Sequence, residues 1–502
     1  MILKEFLAKI VAYFFVKRIK KWSMNPVATQ EKVFKQLIAS AKKTSFGIDH
    51  SFNEIKNQND FIKRVPIRSY EDLKFYIERV RSGETNVLWP GKPIYFAKTS
   101  GTTSGAKYIP ITKASAPFHL NSSRDAMFHY INETGKTEFL RKKIIFLQGS
   151  PELEEKNGIK IGRLSGITAH MTPKYLKGNV MPSWKTNCIE DWEKKVCAIA
   201  IETTKEDMSI IGGIPPWVQM YFEKLREIVK KDTIKEIFPN FNLFVYGGVN
   251  YEPYRKTFDK LIGKKIDTIE FYPASEGFFA YQNMQNEKGL LIMLNSGIYY
   301  EFIPAEEMNK SQPSRLDISR VEIGVNYVLI ISTNAGLWGY NTGDTVAFVS
   351  KFPHKIIVTG RHHHFISAFG EHVISSEVEK AMSDSLKSCN LSVNEFTVAP
   401  KVSLNKGESC HEWWIELNTK PKKTEIKKLQ LNLEKSLKTQ NSYYKDLVVG
   451  KVLKPLKIVL VSTNSFKNFM KKRGKLGGQN KLPRLSNDRE IVDLLIQYKV
   501  NN

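Results

Sequence analysis

The sequence predicts an α/β protein in two parts. The first is a large domain over residues 1–360, with β-sheets layered by helices plus a β-barrel-like part. The second is a small mobile α+β domain over 361–502. Three observations carry this reading. Helical periodicity dominates to about residue 85, short apolar runs then alternate with helical stretches to about 271, and from 290 the chain is strand-rich with Asn, Gly and Pro punctuation. At 502 residues, 41% of them hydrophobic, the chain can bury sizeable cores without disulfide or metal staples.

The elements follow in order. In MILKEFLAKIVAYFFVKRIKKW, Ile2, Leu3, Phe6, Leu7, Ile10, Val11 and Phe14 recur at helical spacing, which predicts a first helix packed on the body. Lys4, Glu5 and Lys9 interrupt the run and no small-residue cleavage site follows, which argues against a signal peptide. A helix lying on a membrane surface, helped by Lys17, Arg18, Lys20 and Lys21, is the lesser reading. No uncharged apolar run approaches the ~18 residues a membrane span needs. KIIFLQ (143–148), NLFVYG (242–247) and IDTIEF (266–271) read as strands. Residues 207–231 read as an intervening helix broken near Pro215-Pro216. LLIMLN, IYYEFI, NYVLIIST, DTVAFV and HKIIVTG continue as strands. In the small domain, helices are expected at 373–387 and 424–438, and strands at HEWWIEL and KIVLV.

Charge and cysteine usage narrow the function. The net charge of +25 suits a nucleic-acid binder, a membrane-surface protein or an enzyme of anionic substrates. No DNA-binding motif and no Arg/aromatic stripe is present, so nucleic acid is not expected as a partner. Cys188, Cys197, Cys389 and Cys410 share no short spacing, and they read as reduced thiols of a cytoplasmic protein.

The strongest local signal is Lys98-Thr99-Ser100-Gly101-Thr102-Thr103-Ser104-Gly105-Ala106-Lys107. Five hydroxyls and two glycines lie in ten residues between strand-like flanks. Glycines let backbone N–H groups approach an anion, and hydroxyls add donors for phosphate oxygens. The spacing is not that of a Walker A loop, because Ala106 stands where the second glycine would be. A second signal is Phe271-Tyr272-Pro273-Ala274-Ser275-Glu276-Gly277. There a strand runs into a turn whose aromatic can stack on a nucleobase, whose hydroxyl can donate to phosphate and whose carboxylate can hold Mg²⁺. In Tyr340-Asn341-Thr342-Gly343-Asp344, a carboxylate at a turn can accept ribose hydroxyls. His362-His363-His364, after Gly360-Arg361, lack metal-ligand spacing. Lysines stand in a glycine-rich loop at Lys475 and Lys481, able to bring a cation into a site.

The order of these signals resembles the adenylate-forming superfamily of acyl-CoA synthetases, luciferases and peptide-synthetase adenylation domains. Within it, the likeness is to the auxin-responsive promoter family of acyl acid–amido synthetases, bacterial type. TSGTTSGAKYIPIT, GGVNYEPYRKTFDKLIG, EFYPASEGFFA, GRHHHFISAFGEHV and GGQNKLPRL carry it, across residues 30–490.

The resemblance implies an ATP- and Mg²⁺-dependent ligase. Such an enzyme activates a small carboxylic acid as acyl-adenylate and transfers it to an amine, an amino acid in that family. By position it makes Thr99, Ser100, Gly101, Thr102, Thr103, Ser104 and Lys107 a phosphate loop, with Ser275 at the α-phosphate. Gly247, Gly248 and Val249 border adenine and Tyr272 stacks on it. Asp344 and Arg361 clamp ribose, Glu276 binds the metal, and Lys481 or, alternatively, Lys475 is the mobile catalytic lysine. A hinge is expected near 361–364. Many superfamily members carry Arg where this chain has Asn341. An acyl-CoA ligase of the same chemistry, or a non-catalytic anion-binding protein, are the alternatives.

Overall fold

A computed structural model describes residues 2–500 apart from 103–104, 174–175, 249–250, 309, 362–364, 367, 372, 390, 392, 404–408 and 474–481. Its centre is an 11-stranded mixed sheet. Five strands run parallel: Asp267–Ala274, Leu243–Gly247, Met208–Gly212, Lys143–Phe146 and Val180–Met181. The other six are antiparallel: Gly277–Tyr281, Leu290–Ile292, His354–Arg361, Tyr340–Lys351, Asn326–Thr333 and the edge strand Ile298–Pro304.

Side-chain alternation explains why the parallel strands are covered on both faces. Leu243 and Val245 pack with Ala126, Tyr130 and Ile131 of helix Ala116–Thr134. Phe244 and Tyr246 point the other way, into a cluster with Phe222 and Phe258. The barrel-like part expected from residue 290 is realised as the antiparallel half of this sheet, which stays open. Helix Pro26–Ala41 covers its edge. There the buried Gln30 amide donates to the carbonyls of Leu294 (2.6 Å) and Ile298 (2.9 Å) and accepts the Tyr300 N–H (2.9 Å). A buried side chain that satisfies three backbone groups fixes helix against strand.

Two expectations need correcting. Residues 207–231 are not one broken helix. Met208–Gly212 is a strand buried along its whole length, and the helix is Pro215–Val229. Pro215-Pro216 start that helix rather than interrupt it, because the first turn needs no intrahelical N–H donor. The first helix, Ile2–Ser23, does lie on helix Ala116–Thr134, but with the opposite face to the one its apolar spacing suggests. It buries Ala12 and Ile19, sets Phe15 against Phe128 with ring centroids 4.6 Å apart, and leaves Phe6, Leu7, Ile10, Val11 and Phe14 exposed.

The carboxy-terminal elements form a three-stranded sheet, in the order Val393–Lys401, Cys410–Leu417, Lys457–Leu460. Adjacent tryptophans face opposite sides. Trp413 packs with Leu429 and Leu433 of helix Lys423–Gln440, and Trp414 with Phe466 and Phe469 of helix Ser465–Lys472. The first of these clusters is continuous with the one behind the parallel strands, through Val196, Leu225 and Phe244. All four cysteines are free thiols.

Three buried histidines contribute to the acid response. Burial holds His119, His129 and His354 each down to about 4, against 6.5 for an exposed imidazole. Between those values the unfolded chain binds protons that the folded chain refuses. Their contribution to stability is therefore full above about pH 6.5 and falls as pH drops toward 4. At pH 5 the loss from His119 alone is roughly 2 kcal/mol. Urea midpoints should be lower at pH 5 than at pH 7, and His119→Gln should narrow the gap.

Candidate active site

Tyr272, Ser275, Glu276 and Asp344 come together near the junction of the two halves of the sheet. Strand Asp267–Ala274 turns through Ser275 and Glu276 into Gly277–Tyr281, with Ala274 directly opposite Gly277. A two-residue turn leaves both side chains at the strand tip, half-buried. At Gly277 an added Cβ would come within 2.6 Å of Ile298 Cδ1, so the Ile298 side chain would have to shift.

Asp344 reaches the same place by a bulge. Asn326–Thr333 pairs with Tyr340–Lys351 at Ile330–Asn341 and at Val328–Thr345, so the longer segment between them loops out of the ladder. Such extra residues re-aim side chains, often beside active sites. The loop is held by its own polar groups. Asn341 accepts the Gly343 N–H (2.8 Å), Thr342 accepts the Asp344 N–H (3.1 Å), and Thr342 donates to the Leu329 carbonyl (2.9 Å). Gly343 sits at φ +78°, in the left-handed region that favours glycine. Asn341 thus serves the turn itself.

Two hydrogen bonds tie these segments together. The Tyr272 hydroxyl donates to Asp344 Oδ2 (2.7 Å), and the Tyr340 hydroxyl donates to Glu276 Oε1 (3.4 Å). Tyr272 is 9% exposed, its ring edge-on to Phe279 with centroids 5.1 Å apart. Arg361 ends the strand paired with Tyr340–Lys351, directly across from Asp344. The neighbouring strand Leu243–Gly247 ends with Gly247 opposite Phe271. A Cβ on Gly247 would lie 2.5 Å from the Phe271 carbonyl oxygen, and Gly248 turns the chain away at φ +82°.

The hydroxyl-rich segment forms the end of a hairpin. Tyr95–Thr102 pairs with Gly105–Ile111, placing Thr99 across from Lys107 and Thr102 across from Gly105. Phe96, Ala97, Ile109 and Ile111 share a core with Tyr272, Phe279 and Tyr340, so the hairpin grows from the layer that carries the two tyrosines. Lys107 Nζ lies 5.8 Å from the Tyr70 ring centre, and the Tyr70 hydroxyl accepts the Tyr108 N–H. Two residues before Tyr70, Arg68 bridges Tyr340 through backbone hydrogen bonds to Gly339 and Asn341. For Ser100, Gly101, Thr102 and Arg361 the backbone alone is described. Thr103, Ser104, Val249, Lys475, Lys481 and most of the expected hinge, 362–364, lie outside the described residues.

Sequence reading missed a contact from the small domain. The Arg163 guanidinium sits 5.2 Å from the Tyr443 ring centre and bonds Asp446 (2.5 Å). Tyr443 feels the Glu276 carboxylate, and its hydroxyl is pushed up mainly by burial. Gly370, just beyond the linker, faces Ile214, as Gly248 does. No local motif marks Arg163 or Tyr443; only the tertiary fold brings them to the turn. A cleft of about 820 Å³ between Glu193–Lys224 and Val448–Pro455 is lined by none of the candidate residues. Among the described residues no cluster of His, Cys, Asp and Glu forms a ready-made metal site, and no helix is long and apolar enough to cross a membrane.

Carboxylates and tyrosines at strand ends thus stand on a mixed sheet that shares a core with a hydroxyl- and glycine-rich hairpin and is followed by a small α+β unit. Known proteins share this plan. The chain is 22% identical to indole-3-acetic acid-amido synthetase GH3.15 of Arabidopsis thaliana, over 93% of this chain and 91% of that one. It is 23% identical to jasmonoyl-L-amino acid synthetase JAR4 of Nicotiana attenuata, over 63% and 66%. The solved structure of AtGH3.15 acyl acid amido synthetase in complex with 2,4-DB superposes with a TM-score of 0.62 at 17% identity, covering 98% of this chain and 96% of that one. Models of the GH3 family N-terminal, central and C-terminal domains match residues 15–201, 291–361 and 376–490. The chain belongs to the GH3 family.

Proposed function

We propose that the protein condenses a small carboxylic acid with ATP to an acyl-adenylate and pyrophosphate, then passes the acyl group to the amine of an amino acid. The observation that carries this reading is the pair of bonds Tyr272–Asp344 and Tyr340–Glu276, which draws both acidic residues to one strand-end cluster beside the hairpin.

A carboxylate acylates poorly because its leaving group would be an oxide. Attack of one of its oxygens on the α-phosphorus expels pyrophosphate and leaves AMP as the later leaving group. The amine then attacks the acyl carbon, AMP departs, and a proton is lost from nitrogen. The protein need form no covalent bond of its own; it positions the partners and stabilises charge.

In this reading Thr99 to Ser104, with Lys107, supply donors to the phosphates, and Ser275 reaches the α-phosphate. Gly247, Gly248 and Val249 border adenine and Tyr272 offers it a ring. Asp344, oriented by Tyr272, accepts ribose hydroxyls with Arg361 alongside. Lys481, with Lys475 as the alternative, neutralises charge at the α-phosphate. Glu276 suits Mg²⁺, a hard ion that takes one or two protein carboxylates and completes its shell with phosphates and water. Bound there, the ion would neutralise charge on the phosphate oxygens. Rotation of the 361–502 domain about 361–364 would exchange the residues presented to the two half-reactions. The Arg163 contacts to Tyr443 and Asp446 would mark one of the two positions.

A pyrophosphate-release screen of carboxylic acids, repeated with mixed amino acids and with coenzyme A, tests the assignment. Acid-dependent release, with amide formed only when amino acids are present, is the expected result. Thioester formation would move the protein to the acyl-CoA ligases, and no release with any acid would defeat the proposal.

A further inference from the structure

The exposed face of the first helix is too apolar to be ordinary surface. Phe6 is 59% exposed, Tyr13 56% and Phe14 61%, and Leu7, Ile10 and Val11 are exposed beside them. At 100° per residue these six fall on one arc, opposite Ala12 and Ile19, the side turned to helix Ala116–Thr134. Contiguous exposed apolar side chains on this scale mark an interaction surface.

The same arc changes character along its length. From residue 6 to 14 it carries large apolar side chains, broken only by Lys9 at its margin. From 17 to 21 it carries exposed Lys17, Arg18, Lys20 and Lys21. The apolar stretch is roughly 12 Å long at the helical rise. A helix of this kind lies in the plane of an interface, its apolar face entering about 5–10 Å and its basic residues staying at headgroup level. The helix has six basic residues and one acidic residue, and the whole chain has a net charge of +25. A second copy would cover the apolar stretch but would bring two strongly cationic chains together and leave the basic collar unused. An anionic surface satisfies both halves of the helix at once.

We propose that the first helix docks the protein on an anionic lipid bilayer, with Phe6, Ile10 and Phe14 entering the interface and Lys17, Lys20 and Lys21 contacting the headgroups. The face in contact with helix Ala116–Thr134 stays packed, so docking needs no unfolding. The proposal is independent of the reaction assigned above.

Co-sedimentation of the full chain with vesicles tests it, using phosphatidylcholine alone and phosphatidylcholine with phosphatidylglycerol. Binding should be at least about tenfold tighter to the anionic vesicles and should weaken with salt. Phe6→Glu/Ile10→Glu/Phe14→Glu should reduce it at least about tenfold, with Tm and vesicle-free pyrophosphate release unchanged because these side chains make little contact with the body. Lys17→Gln/Lys20→Gln/Lys21→Gln, which alters only exposed positions, should weaken binding and flatten its salt dependence; it carries the test if the first variant loses Tm. Equal binding to neutral vesicles, no binding to either, or unchanged binding by both variants would overturn the proposal. So would a wild-type dimer, seen by sedimentation velocity, that the Phe6/Ile10/Phe14 variant abolishes, because the occupant would then be a second copy.

Discussion

Glu276→Gln is expected to slow acyl-adenylate formation by about 10²–10³-fold, equivalent to about 3–4 kcal/mol of transition-state stabilisation. The substitution isolates charge. Glutamine is isosteric, and its amide oxygen still accepts the Tyr340 hydroxyl, so the turn after Asp267–Ala274 keeps its tie to Tyr340–Lys351. What is lost is the anion that holds a divalent cation beside the phosphates. Two readouts separate this role from a structural one. Acid-dependent ATP–pyrophosphate exchange should fall, and the Mg²⁺ concentration for half-maximal exchange should rise. The Tm should move by less than about 1 kcal/mol equivalent, since the side chain is only half-buried. Unchanged exchange with an unchanged Mg²⁺ requirement would remove Glu276 from the metal site.

Much of this arrangement could be read in the sequence where local rules and tertiary demands agree. The strand run at 243–247 is apolar because both its faces are covered, and those at 143–146 and 267–274 show as short runs of strand-forming residues, some of them only half-buried. Tyr272, Ser275, Glu276 and Asp344 stand at strand ends and turns, where backbone punctuation already shows. Residues 208–212 were hidden because a buried five-residue strand and the first turn of a helix share one apolar pattern; only the two prolines, read as a helix start, separate them. The first helix misleads for another reason. Its apolar periodicity is genuine, but small Ala12 and the later Ile19 meet helix Ala116–Thr134, leaving the large side chains outward. Arg163 and Tyr443 stand 280 positions apart in the chain and have no pattern of their own.

Glu301→Ala should cost about 3–5 kcal/mol of folding stability, the largest loss expected of any single side chain outside the site. Glu301 and Arg315 are 0% and 4% exposed and form a bidentate pair, Nε to Oε1 at 3.0 Å and a second guanidinium nitrogen to Oε2 at 2.6 Å. Arginine cannot shed its proton at any pH the fold survives, so truncation of its partner strands a buried cation. The consequence reaches the site, because the same guanidinium also donates to the Val65 carbonyl at 2.5 Å. The segment from Val65 leads to Arg68, which clips the Gly339–Asn341 backbone beside Tyr340. Glu301→Ala should therefore lower the urea midpoint and, below that midpoint, raise the KM for ATP more than it lowers kcat. Glu301→Leu/Arg315→Met tests the cause: with both charges gone and the volume filled, most of the stability should return. If the double variant is as unstable as Glu301→Ala, packing rather than the stranded charge is responsible. If stability returns while the ATP KM stays high, the guanidinium's tie to Val65 has its own part in shaping the Tyr340 turn.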